Sequence, residues 1–115
     1  MNKLQIYCVT NERIKYLENT KLILAGVGKN KFSKKYTTCL RGKNIQEKEK
    51  NYSELTFHYW FWKNKLKKFD TNTWIGFCQK RRFWLKNESE IRNFKNLKKN
   101  LILKPDKKWK KYNSI

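Results

Sequence analysis

Short apolar runs alternate along the chain with polar, lysine-rich stretches, and the length and period of each run assign it to an element. Residues 4–10 (LQIYCVT) are apolar and partly β-branched, end at Asn11, and read as a first strand. Residues 21–28 (KLILAGVG) read as a second strand that ends on two glycines. From 29 to 50 the pattern is polar and without period, which predicts a loop with a turn around Arg41-Gly42-Lys43-Asn44. Tyr52, Leu55, Tyr59, Trp62, Leu66 and Phe69 then follow at steps of three and four, the spacing of one helix face, and predict a long helix over 53–69. Ser53 is its expected N-cap, Glu54 complements the dipole in the first turn, and Lys65, Lys67 and Lys68 complement it in the last. Phe57, Trp60 and Phe61 lie off that stripe, so the helix is apolar on more than one face. Such a helix is sandwiched between layers or waits for a partner.

Asp70-Thr71-Asn72-Thr73 reads as a turn, and residues 74–78 (WIGFC) as a compact strand running into 79–84. Ile91, Phe94 and Leu97 predict a shorter helix over 89–100. Residues 101–103 read as one more strand, stopped by Pro105, and residues 112–115 as the start of another. This order predicts an α/β fold with a mostly parallel sheet, the long helix crossing between two parallel strands. Ligands of such sheets lie beyond the carboxyl ends of the strands. That edge gathers Thr10 and Asn11, residues 26–28, and residues 79–82.

The chain has 115 residues, enough for one domain. Its 16% aromatic content supplies bulk for a core, which argues against disorder despite a net charge of +20. Lysines make up 24 of the 29 basic residues, beside 13 asparagines. Dedicated nucleic-acid readers favour arginine, whereas AT-rich coding writes lysine and asparagine onto any solvated surface. No apolar run is long enough to span a membrane, and the first ten residues carry no secretion signal, so the expectation is a cytoplasmic protein. Cys8, Cys39 and Cys78 are widely spaced, with one histidine in the chain. They predict buried, inert thiols rather than a zinc site or a disulfide framework.

Gly26-Val27-Gly28-Lys29 invites comparison with a phosphate loop. However, Ile23 stands where that loop needs its first glycine, Asn30 where it needs Ser or Thr, and Lys31 where a dinucleotide fold needs its third glycine. Arg81-Arg82, adjacent at a strand's end, suit charge-assisted contacts to phosphate, or a pair of solvated charges. Glu54 suits either the helix dipole or a ligand. His58, on the flank of the stripe, reads as a packed histidine. No metal-ligating set and no Ser-His-Asp set assembles from these residues, so neither cofactor nor metal is indicated.

Two stretches carry a resemblance. Asn44-Ile45, followed by residues 51–64 (NYSELTFHYWFWKN), resembles the N-I…N-Y-x-E-L-T-x-x-Y-W-x-W-K-N signature of a bacterial glycosyltransferase-like family. That family is found in capsular and exopolysaccharide loci and long carried only a label of unknown function. Residues 74–84 (WIGFCQKRRFW) are similar to its Y-I-G-L-C-H-Y-R-R-Y-F strand, residues 6–10 to its first strand, and residues 26–28 to its x-V-G segment. The resemblance implies a Rossmann-like glycosyltransferase fold of the GT-A kind that binds a nucleotide-sugar donor and serves a glycan acceptor. Carried over by position, Thr10 would lie beside the nucleoside, Asn44, Glu54 and Thr56 near the sugar-phosphate, and Arg81 and Arg82 near the diphosphate. Gln79-Lys80 replaces the family's His-Tyr, and Ser53 its usual Cys. The match covers the front half of the family domain, which implies a single, truncated donor-binding unit over 1–115, with catalytic residues unassigned. Enzyme, small single-stranded nucleic-acid-binding module and inactive remnant of the same family all stay open at this point.

Overall fold

The computed structural model describes residues 3–86 and 94–115. Among these residues four strands form one sheet: β1 (Lys3–Thr10), β2 (Ile23–Gly26), β3 (Tyr36–Thr38) and β4 (Thr73–Gln79), in the order β3-β2-β1-β4. Every pairing is parallel. Tyr7 to Thr10 lie opposite Ile23 to Gly26, and Lys3 to Val9 opposite Thr73 to Gln79. The period of two along β1 divides the core. Ile6 and Cys8 face one side with Leu17, Leu24, Cys78, Leu97 and Leu101, while Tyr7 and Val9 face the other with Ala25, Val27, Phe57, Trp60 and Phe61. The result is an α/β, Rossmann-like fold with both sheet faces covered, as parallel strands require.

The chain steps outward from β1 to β2 to β3. It then returns through α1 (Glu49–Tyr52) and α2 (Leu55–Asn64) to lay β4 on the far side of β1. The direction of winding therefore reverses between β1 and β4, which places a topological switch point there. Gly26, the last residue of β2, has no room for a side chain, since a Cβ there would meet the Phe32 ring at 2.6 Å.

The predicted helix over 53–69 is corrected in two respects. It is broken: α1 ends at Ser53, whose N–H donates to the Glu49 carbonyl and whose backbone takes φ 49°. Ser53 is thus the hinge between two helices rather than an N-cap. Beyond Asn64 the chain tightens into a 3-10 turn, Leu66–Lys68. The buried face is also the other one. Thr56, Phe57, Trp60 and Phe61 pack on the sheet, while Tyr52, Leu55, Trp62 and Leu66 are exposed. Both stripes have helical spacing, but lysines 63 and 65 flank the outer stripe, whereas the inner one offers aromatic bulk without charge. Trp60 further donates its indole N–H to the Arg41 carbonyl at 2.6 Å, pinning the loop ahead of α1 to this face.

The loop expected over 29–50 contains the edge strand β3, too short to announce itself by alternation. Residues 101–103 form no strand. Leu101 makes an isolated antiparallel bridge to Leu85. The end of the chain forms a 3-10 turn, Lys107–Lys111, and no strand begins at 112. The second helix is described as α3 (Phe94–Asn100), with Leu97 buried, and its expected start at 89–93 lies outside the described residues.

Candidate functional site

At the switch point a crevice of about 380 Å³ opens between the carboxyl ends of β1 and β4, roofed by the start of α2. Four segments far apart in sequence build it, one of them being Val27 just past β2. Thr10 and Asn11 come from the end of β1, Ser53 and Glu54 from the α1–α2 junction, and residues 79–82 from the turn after β4. That turn is tight. The N–H of Gln79 donates to the Arg82 carbonyl and the N–H of Arg82 to the Gln79 carbonyl, both at 3.1 Å, so Lys80 and Arg81 form its tip.

Hydrogen bonds across the crevice fix its walls. Gln79 donates its side-chain amide to Glu54 Oε1 at 2.8 Å, tying β4 to α2. Lys80 Nζ reaches Glu12 Oε1 at 2.9 Å and Asn11 Oδ1 at 3.0 Å, tying β4 to the loop after β1. The hydrogen bond and charge of Lys80, reinforced by Arg81, hold the Glu12 carboxyl below its ordinary range. Thr10 is buried, and its hydroxyl donates to the Glu12 carbonyl at 2.6 Å while accepting from the Glu12 N–H at 3.1 Å. Arg81 and Arg82 are exposed, and among the described residues neither guanidinium has a hydrogen-bond or ion-pair partner.

Basic side chains outnumber acidic ones in the wall of the crevice, Lys80, Arg81 and Arg82 against Glu54. Lys80 is half neutralised by Glu12, but two unpaired guanidinium groups remain, each able to fork onto a phosphate. The N-terminus of α2, the positive end of its dipole, contributes Ser53 and Glu54 to the wall. Ser53 holds φ 49° and ψ −123°, a conformation that favours glycine and costs about 1–3 kcal/mol elsewhere in proteins. That kink lets α2 start at the crevice instead of continuing α1 past it.

Of the residues singled out in the sequence, Thr10, Glu54, Arg81 and Arg82 converge on this crevice. Asn44 does not. It lines a neighbouring cavity of about 920 Å³ at the ends of β2 and β3, and its side chain holds its own turn, donating to the Gly42 carbonyl at 2.9 Å and accepting from the Gln46 N–H at 3.2 Å. Thr56 is fully buried on the inner face of α2, and its hydroxyl has no partner among the described residues. The His58 ring lies tilted against Phe77 with centroids 4.4 Å apart, and burial lowers its pKa against the opposing pull of Glu54. Gly28 takes φ 89° between the two cavities, with the Glu49 carboxylate 3.1 Å from where a Cβ would stand. The cysteines are buried, and burial pushes the Cys39 thiol up to about 12. Sequence reasoning missed the Lys80–Glu12 and Gln79–Glu54 links, because no period connects residues so far apart.

The sequence profile of a family described as a domain of unknown function (DUF4422), associated with glycosyltransferases, matches residues 5–113. No curated protein and no solved structure matches the chain. The match spans nearly all of the sequence, and the chain belongs to that family.

Proposed function

We propose that this member of the DUF4422 family binds a nucleotide-sugar donor at the switch-point crevice, as the donor-binding part of a glycosyltransferase that extends a capsular or extracellular polysaccharide. The reading rests on the convergence of Arg81, Arg82, Glu54 and the start of α2 at the carboxyl ends of β1 and β4. It is supported by the family's association with glycosyltransferases. The diphosphate would lie against Arg81 and Arg82, with Glu54, steadied by Gln79, accepting hydrogen bonds from sugar hydroxyls. Thr10 and Thr56 would act from behind, one shaping the floor and the other seating α2. Asn44 would act through the adjoining cavity.

In the transfer, a hydroxyl oxygen of the glycan acceptor attacks the anomeric carbon, and the bond from that carbon to the diphosphate breaks. The bonding pair leaves with the diphosphate, and the hydroxyl proton passes to a base. Charge grows on the departing phosphate oxygens, so guanidinium groups already in place stabilise the transition state more than the ground state. Titration of a nucleoside diphosphate sugar into the wild type and into Arg81→Ala/Arg82→Ala tests this reading. Both side chains are exposed, so the fold should survive their loss. Weakening of about tenfold or more is expected from losing two charge-assisted contacts. Unchanged affinity in the double variant would rule the site out.

A further inference from the structure

The outer stripe of α1, α2 and the following 3-10 turn lies apart from the crevice. Of the nine large apolar side chains well exposed among the described residues, four stand on it: Tyr52 (46%), Leu55 (54%), Trp62 (55%) and Leu66 (44%). Half-buried Tyr59 completes the row, its ring meeting Trp62 edge-on at 6.1 Å. Within α2, from Leu55 to Trp62, the row runs for about 10 Å at the helical rise. An outer helix of a three-layer fold normally shows water a polar face, and an apolar strip with a charged border marks a docking surface.

The border is basic. Lys63 borders the stripe on α2, with exposed Lys48 and Lys50 before it and Lys67 and Lys68 after it. Lys63 Nζ sits 3.7 Å from the Trp62 ring centroid, so an ammonium group and an indole share one spot. Of the four acids nearest in sequence, exposed Glu47 and Asp70 stand beside the lysines at either end, and two are turned to other tasks. Glu54 is held by Gln79, and the Glu49 carboxylate lies against Gly28.

We infer that this stripe docks on the surface of an anionic lipid bilayer, with Leu55, Trp62 and Leu66 entering the headgroup region and the flanking lysines lying among the headgroups. Charge complementarity decides the partner. A second copy of a chain carrying +20 is repelled. The five side chains offer about 500 Å², short of the roughly 800 Å² per partner of a stable interface. Single-stranded RNA would need open ring faces for stacking, yet Lys63 covers one face of Trp62, the Tyr59 ring meets Trp62 edge-on, and Leu55 and Leu66 offer nothing to a base. A bilayer surface accepts leucine, tryptophan and lysine together. This inference does not depend on the donor site.

The test is co-sedimentation of the whole chain with vesicles of phosphatidylcholine, with and without phosphatidylglycerol, at about 0.15 M salt. Since a strongly basic protein adheres to any anionic surface, two variants separate insertion from adhesion. Leu55→Gln/Trp62→Gln/Leu66→Gln keeps the charge and uses a good helix former at exposed positions. Lys21→Gln/Lys34→Gln/Lys35→Gln/Lys104→Gln removes charge away from the stripe. Expected are binding only to the anionic vesicles, a loss of about tenfold or more in the triple variant, and a loss of less than about threefold in the lysine variant. Equal binding by the triple variant and the wild type would overturn the proposal. So would a stripe-dependent dimer in sedimentation velocity, or stripe-dependent binding of single-stranded RNA without vesicle binding.

Discussion

The two faces of α2 are equally apolar and have opposite fates. Phe57 makes ring contacts with Tyr7, Trp60, Phe61 and Phe77 at centroid distances of 5.4 to 6.3 Å and is wholly buried. Leu55 and Trp62, within five residues of it, stand in water. Helical spacing identifies a stripe, but what meets the stripe decides whether it is core. On the inner side three sheet residues, Tyr7, Val9 and Ala25, with Val27 just past β2, supply the complementary surface. On the outer side lysine heads border the rings, and no described element covers them.

The contrast can be broken most forcefully from within. Phe57→Ala removes the centre of the aromatic cluster and should cost about 3–5 kcal/mol, read as a drop in the urea midpoint. A much smaller loss would mean that the inner face is not the core. Relief of strain at the junction is the next largest effect. Ser53→Gly should raise stability by about 1 kcal/mol, since glycine adopts a positive φ without penalty, and a loss would show that the Ser53 side chain holds the kink. On the outer face Leu66→Gln should change stability by less than about 0.5 kcal/mol, and a cost near that of Phe57→Ala would erase the distinction between the faces.

Acid sharpens the same comparison at His58, on the boundary between the faces. Its folded pKa lies below its ordinary value of 6.5, chiefly through burial. The unfolded chain therefore takes up the proton first as pH falls. Stability should be level above that value and decline below it. His58→Gln should flatten the acid side of a denaturation series, and an unchanged slope would place the titration elsewhere.

Much of this architecture could be read from residue order. Leu4 to Thr10 and Trp74 to Cys78 carried their strands openly, and the parallel crossover brought Thr10 and Arg81-Arg82 to one edge, where they stand. What escaped had physical causes. With only three residues, β3 is too short to alternate, and the apolar residues 101–103 found one bridge partner instead of a sheet. The helix broke at Ser53 because of a backbone conformation that the residue does not favour by itself. Lys80–Glu12 and Gln79–Glu54 join residues that only the folded sheet makes neighbours.

Titration of a nucleoside diphosphate sugar into the isotope-labelled chain, followed by amide chemical shifts, tests the central claim most directly. Saturable shifts centred on Thr10, Asn11, Val27, Ser53, Glu54 and residues 79–82 are predicted, with the outer stripe and the lysine-rich tail unmoved. Shifts that spread across the lysines without saturating, or that centre on residues 29–34, would contradict it.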